Sequence, residues 1–150
     1  MANETFAMGK ITLDGEWTEE MAELINKYLK ITSTWHYCIR DEHSSDVDNA
    51  KEFSAENRCI EFSGIGRWSF RSTLEDFFIA NMDTNSPLFK LMEKHDATIT
   101  FDYVEDSNND EWLADATMTI ASDGSKFEIE YEASDEYEYN EENLEKLGLN

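Results

Sequence analysis

Apolar and polar residues alternate along four short segments between residues 6 and 103, which is the pattern of strands with one face against a core. In the first segment Phe6 and Met8 precede Gly9, and Ile11 and Leu13 follow it. The change of phase at the glycine predicts a β-bulge. The other three segments cover residues 35–40, 59–63 and 99–103.

Three segments between these strands have helical signals. The apolar residues of 17–29 recur at helical spacing, with Thr18 as the expected N-cap. A capping box at 72–75 predicts a second helix, and Pro87 begins a short helix that runs through His95. With the last two helical segments counted as one interrupted helix, the first six elements follow the βαββαβ order of ferredoxin-like folds.

A hairpin is predicted after the fourth strand. Asp123-Gly124 is typical of a two-residue turn, and a turn there pairs three apolar couples on one face. The pairs are Ile120 with Phe127, Met118 with Ile129, and Ala116 with Tyr131. Beyond the hairpin, Asn140 is expected to cap a last short helix.

The sequence thus predicts an α+β fold, with a ferredoxin-like βαββαβ core extended by a C-terminal β-hairpin and a short terminal helix. We expect a single domain over residues 1–133, followed by an acidic tail with the short helix over residues 134–150.

One pentapeptide, Gly66-Arg67-Trp68-Ser69-Phe70, leads from the third predicted strand into the second helix. Together with the order of elements, it resembles small phage- and plasmid-encoded ferredoxin-like proteins of unknown role. The resemblance implies an origin in a mobile element, and it brings no catalytic residues with it.

The charge of the chain calls for an explanation. With 34 acidic and 12 basic residues the net charge is −22, whereas a magnitude of roughly 2 to 8 keeps a small domain soluble. Residues 97–150 alone hold 16 acidic and 2 basic residues, a net charge of −14. Because self-repulsion destabilises a compact chain, this excess favours a role in binding.

Two cysteines, Cys38 and Cys59, are too few for a disulfide framework, and no basic segment precedes an apolar one at the N-terminus. We therefore expect a cytoplasmic protein with no membrane partner.

No nucleophile stands at a recognisable spacing from a base, and no complete phosphate-binding loop is present. The sequence therefore predicts no catalytic residues, no cofactor and no enzyme. An alternative interpretation is an acidic accessory or metal-binding domain with its site near His36, Cys38, Cys59 and Glu61, which share a face if the second and third strands pair. Their spacing does not preset the geometry of a metal site, so we predict no metal ligands.

Glutamates occupy every second position of the last predicted strand. The two-residue turn places Glu128 opposite Thr119, Glu130 opposite Thr117, and Glu132 opposite Asp115, and like charges that face each other destabilise a sheet. The predicted partner-binding residues are Asp115, Glu128, Glu130, Glu132, Asp135, Glu136, Tyr137 and Glu138.

Such a row resembles the charge of a nucleic-acid backbone and would fit a basic groove. The leading hypothesis is a non-enzymatic inhibitor from a phage or mobile element, of the anti-CRISPR kind, that blocks a basic nucleic-acid-binding protein such as a nuclease or defence complex. The alternative is that the acidic strand is only a solvated surface. Direct binding to nucleic acid is not expected, because the basic residues are scattered.

Overall fold

The computed structural model describes residues 4–35, 52–67, 71, 87–107, 112–122 and 127–148 of the chain. The fold is mixed α+β. In chain order its elements are β1 (Glu4–Asp14), α1 (Glu19–Trp35), β2 (Cys59–Arg67), α2 (Pro87–His95), β3 (Thr98–Ser107), β4 (Trp112–Ser122), β5 (Phe127–Glu138) and α3 (Glu141–Lys146). The five described strands form one antiparallel sheet in the order β2-β1-β3-β4-β5.

One face of this sheet, the inner face, packs against α1 and α2 in a single apolar cluster. Alternate residues of the strands supply its sheet side, because successive side chains of a strand point to opposite faces. The largest fully buried side chains are Phe62, Phe101, Ile11, Met21, Ile25 and Leu88. The opposite side of the sheet is called the outer face below.

β1 contributes apolar residues to both faces. Ile11 and Leu13 are buried on the inner face, whereas Phe6 and Met8 are half-buried on the outer face. The pairing of β1 with β2 and β3 runs through Gly9 without a shift of register. The bulge predicted at Gly9 is therefore wrong, and the change of phase marks a change of the face that is apolar.

α1 begins as predicted and ends later. The backbone N–H of Met21 donates to Thr18 Oγ1 at 3.3 Å, which confirms Thr18 as the cap. The helix then runs to Trp35, so Trp35 is not the first residue of a strand. No proline or glycine interrupts α1 before that point. Residues 36–40 of the predicted second strand lie outside the described residues.

Side chains of α1, among them Asn26, fix the segment before β2 to the helix. Asn26 Oδ1 accepts from the backbone N–H of Phe53 at 2.8 Å, and Asn26 Nδ2 donates to the Phe53 carbonyl at 3.0 Å. Arg58 Nη1 donates to the carbonyl of Gly15 at 2.8 Å, at the turn after β1. These bonds hold the entry of β2 beside β1.

The C-terminal segment is part of the sheet for longer than the sequence indicates. β5 is paired to its end, where Glu138 lies opposite Trp112, so the boundary expected after residue 133 falls inside the strand. Asn140 Oδ1 then accepts from the backbone N–H of Asn143 at 2.8 Å, which confirms the predicted cap of the last helix. Within the described ranges, no helix has the length and apolar character needed to cross a membrane.

Candidate acidic interface

Three glutamates form a row on the outer face of β5. Glu128, Glu130 and Glu132 are exposed, and they lie opposite Ala121, Thr119 and Thr117 of β4. None of the three carboxylates takes part in an ion pair or hydrogen bond among the described residues. These three side chains are called the glutamate row below. Alternate residues of a strand are about 6.8 Å apart, so the row is a regular line of negative charge.

The predicted hairpin register is wrong by two residues. Ile120 pairs with Ile129 and Met118 with Tyr131, whereas Phe127 lies opposite Ser122. Four residues, 123–126, therefore separate the paired ends, so the predicted two-residue turn at Asp123-Gly124 is excluded by its flanks. The turn itself lies outside the described residues. A shift by two keeps every side chain on its face, which is why the alternation predicted the faces and not the partners.

Asp115 is not opposite Glu132, as the predicted register required. The register shifts between Asp115 and Ala116, which pair with Asp135 and Ala133, so β5 has one extra residue there. Such a bulge changes the phase of the strand. The glutamate row therefore ends at Glu132, and Asp135 follows it in the outer-face phase.

The bulge also separates the remaining predicted site residues. Glu136 lies opposite Ala114 and Glu138 opposite Trp112, which are inner-face positions of β4. Both are thus displaced from the row that the sequence predicts. For Asp135 and Glu136 the structure describes the backbone pairing alone.

Tyr137 lies on the outer face, opposite Leu113. Lys146 Nζ of α3 is 5.2 Å from the centre of its ring, which is a cation–π contact. The side-chain amide of Asn143 donates to the carbonyl of Glu138 at 2.8 Å. Tyr137 therefore holds α3 against the end of β5, a role that the sequence did not indicate.

Further acidic residues lie on the outer face of β3 and β4, next to β5 in the sheet. Asp102 of β3 is exposed and accepts a hydrogen bond from Thr117 Oγ1 at 2.8 Å. Lys10 of β1 lies between Asp102 and Glu61 in the register. Asp115 is half-buried beside the row. The negative surface therefore extends inward from β5 across three strands.

Sequence reasoning missed an apolar depression in the middle of this acidic surface. Its volume is about 300 Å³, and its lining residues are Met8, Gly9, Lys10, Asp102, Tyr103, Val104 and Asp115. The signal was present in the sequence, because Met8 stands out of phase with the buried residues of β1. The same change of phase is also typical of a bulge.

Asp106 follows in the same outer-face phase of β3, between Phe6 and Leu113. Its Oδ1 atom is buried and makes no hydrogen bond within the described part of the chain. Removal from water raises the pKa of this carboxyl above its ordinary value. The end of the outer face near Leu113 is therefore less polar than the end at the glutamate row.

The alternative metal site is described only in part. Cys59 and Glu61 are exposed on the outer face of β2, opposite Thr12 and Lys10. Thr12 Oγ1 donates to Cys59 Sγ at 3.7 Å. His36 and Cys38 lie outside the described residues. Among those that are described, no three metal-ligating side chains come together.

Two polar side chains are buried on the inner face of the sheet, at the margin of the core. Tyr103 is 4% exposed and Glu105 is 3% exposed, and both lie on the inner face of β3. The guanidinium carbon of Arg71 is 4.2 Å from the centre of the Tyr131 ring. Burial raises the pKa of Tyr103 far above its ordinary value, and the charge of Glu105 and a hydrogen bond with Tyr131 add to the shift.

This shift predicts a loss of stability at alkaline pH. The folded state favours the protonated form of Tyr103. The contribution of Tyr103 to the free energy of unfolding is therefore complete below the ordinary tyrosine pKa of about 10 and is lost as the pH rises above that value. The slope for one such group is at most about 1.4 kcal/mol per pH unit. We expect Tyr103→Phe to lose less free energy of unfolding than the wild type between about pH 9 and 11 in urea titrations. Equal losses would show that another group causes the alkaline sensitivity.

Comparison with known proteins gave no match: no family model, no curated sequence and no solved structure is significantly similar to the chain.

Proposed function

We propose that this is a non-enzymatic acidic protein whose glutamate row occupies a basic nucleic-acid-binding surface on a partner protein. The partner class is a nuclease or defence complex, and the protein acts in the cytoplasm as an inhibitor encoded by a phage or mobile element, of the anti-CRISPR kind. The observation that carries the proposal is the row itself, with three exposed carboxylates in register and without ion pairs in the described structure.

The row has a cost for the fold, which supports a role outside it. Alternate glutamates repel one another, and no described cation within ion-pair distance relieves the repulsion. A basic groove that has evolved to hold phosphates would supply those cations. The charge would then speed association and fix the orientation of the complex.

We further propose that the core of the fold is ferredoxin-like. The order β2-β1-β3, with antiparallel neighbours, is the order that the third, first and fourth strands of that core require. A fourth core strand would pair beside β2, and residues 36–40, where the sequence predicts most of it, lie outside the described part of the chain. In this arrangement β4 and β5 extend the sheet and place the glutamate row at its margin.

A second explanation of the row is protection of a sheet edge. β5 is at one end of the described sheet, and charged side chains on end strands prevent pairing between molecules. The two explanations differ in their consequences. Loss of the charges would cause aggregation under the second, and loss of partner binding under the first.

The proposal is tested by displacement from immobilised nucleic acid. Proteins of a bacterial lysate are bound to DNA or RNA beads and eluted with the wild-type protein. We expect release of a nucleic-acid-binding protein at about 0.1 M salt, in excess of the release by buffer alone. The complex of the released protein with this chain should then dissociate at 1 M, because the screening length falls from about 10 Å to about 3 Å. The combined substitution Glu128→Gln, Glu130→Gln and Glu132→Gln should reduce release at least about tenfold with an unchanged melting temperature.

A matched variant controls for bulk charge. It carries the substitutions Glu23→Gln, Glu56→Gln and Glu93→Gln. These three carboxylates are exposed, lie away from the outer face and make no hydrogen bond or ion pair within the described part of the chain. This variant should release as much protein as the wild type. Equal release by both variants would reject the glutamate row as the interface. Simultaneous binding of the released protein to nucleic acid and to this chain would reject occupation of the groove.

A further inference from the structure

The depression on the outer face has an apolar floor. Met8 of β1 and Val104 of β3 lie directly opposite each other and are half-buried. The backbone of Gly9 and Tyr103 completes the floor. A methionine adapts its shape to a guest more readily than a branched side chain, because its thioether chain is flexible.

Two carboxylates border this floor on the side of the glutamate row. Asp102 of β3 and Asp115 of β4 are diagonal neighbours, because Asp102 pairs with Thr117, two residues from Asp115. Diagonal neighbours on a sheet are about 7–8 Å apart. The bond from Thr117 orients Asp102 through Oδ1 at 2.8 Å. Asp115 makes no hydrogen bond or ion pair with any described residue.

This combination fits a long cationic side chain. An aliphatic stem gains from contact with Met8 and Val104, while its charged end stays at the wet border. A guanidinium presents five donors in a flat fork and can bond two carboxylates at once, whereas an ammonium is a point charge. Phosphate groups are excluded by the two carboxylates. A purely apolar guest would leave both carboxylates beside it without partners.

Lys10 also lines the depression, but it is not the cation that pairs with both Asp102 and Asp115. It is exposed, and the register places it opposite Glu61 of β2 as well as Asp102. Glu61 is outside the depression, so Lys10 has a carboxylate neighbour on the side away from Asp115.

We propose that the depression is an anchor site for one arginine side chain of the partner, with its stem on Met8 and Val104 and its guanidinium between Asp102 and Asp115. The inference rests on the proposed function and deepens it: the basic partner places an arginine beside the surface that meets the glutamate row. Arginines in such central pockets contribute a large share of binding energy at protein interfaces.

The test uses the methionine methyl groups as reporters. The protein is labelled with ¹³C-methyl methionine and titrated with N-acetyl-arginine amide, with the lysine and norleucine amides as comparisons. We expect a saturable shift of the Met8 methyl signal with the arginine amide and no shift of Met21 and Met118, which are fully buried on the inner side. The lysine amide should bind several-fold more weakly, and the norleucine amide should give no saturable shift.

The double variant Asp102→Asn with Asp115→Asn should weaken the arginine response at least about tenfold. The double variant Glu128→Gln with Glu130→Gln removes the same charge from the same face and should leave the response unchanged. Equal responses of the two variants, a linear shift of Met8, or an equal shift with the norleucine amide would overturn the proposal.

The outcome is independent of the displacement assay, because no partner protein is present. Saturable arginine binding without displacement would keep the anchor site and reject the mimicry. Displacement without arginine binding would keep the glutamate row and reject the anchor.

Discussion

Replacement of Gly9 by alanine is expected to destabilise the protein by at least about 3 kcal/mol, because β1 and β3 approach each other too closely there for any side chain. A Cβ atom added at Gly9 would lie 2.7 Å from Tyr103 Cα and 2.9 Å from the carbonyl carbon of Asp102, with the carbonyl oxygen closer still. All three obstacles are backbone atoms. The clash therefore requires two central strands to move apart.

The measurement is thermal unfolding followed by circular dichroism. In a domain of this size, 1 kcal/mol corresponds to roughly 2–4 °C, so the melting temperature should fall by about 6–12 °C. Gly148→Ala is the matched control. An added Cβ there meets no atom within 4 Å, so its cost is limited to the positive φ of 74°. A Gly9→Ala protein that melts within about 2 °C of the wild type would contradict the close approach of the strands.

The structure around Gly9 shows what the alternation of apolar and polar residues can and cannot specify. Phe6 and Met8 were out of phase with Ile11 and Leu13, and a bulge was the local explanation. The structure has no bulge at Gly9. The phase changes there because the first residues of β1 place apolar side chains on the outer face and the later ones place them on the inner face. A one-residue change of phase in a sequence is thus compatible with a bulge or with two apolar faces. Only the neighbouring strands decide between them.

The hairpin shows a second limit. The alternation correctly separated Met118 and Ile120 from Thr117 and Thr119, because the period of a strand is two residues. It did not fix the partners, since any even shift preserves the faces. The Asp123-Gly124 pair favoured the shortest turn, but the paired strands leave four residues between them. The later bulge at Asp115 has no sequence signal and ended the glutamate row at Glu132.

The helix predicted from Pro87 through His95 is confirmed at both ends as α2, whereas α1 was predicted at its start and not at its end. Thr18 and Asn140 accept backbone N–H bonds as expected, because a cap is a local feature. The end of α1 at Trp35 was missed, since the alternating residues after it favoured a strand. The depression was missed because it combines residues from three strands. The phase of Met8 indicates an apolar residue on the outer face and does not indicate which residues surround it.

The second large effect is expected from Phe101→Ala, which should destabilise the protein by about 3–5 kcal/mol. Phe101 is fully buried in β3, and its ring contacts Phe62 of β2 edge to face, with centroids 6.4 Å apart and an interplanar angle of 82°. β1 lies between these two strands. The rings meet across it because Gly9, which pairs with Phe62, has no side chain on the inner face.

A double-mutant cycle with Phe62→Ala isolates the ring contact. The sum of the losses in the two single variants should exceed the loss in the double variant by about 0.5–1.5 kcal/mol, the usual strength of an aromatic pair beyond its buried area. Strictly additive losses in urea titrations would mean that the rings are stabilised separately. Phe101 is also on the face opposite the glutamate row. At a temperature where Phe101→Ala stays folded, it should therefore release nucleic-acid-binding proteins as well as the wild type does, whereas the triple glutamine variant keeps its stability and loses release. That opposite pattern distinguishes the residues that stabilise the sheet from those proposed to bind the partner.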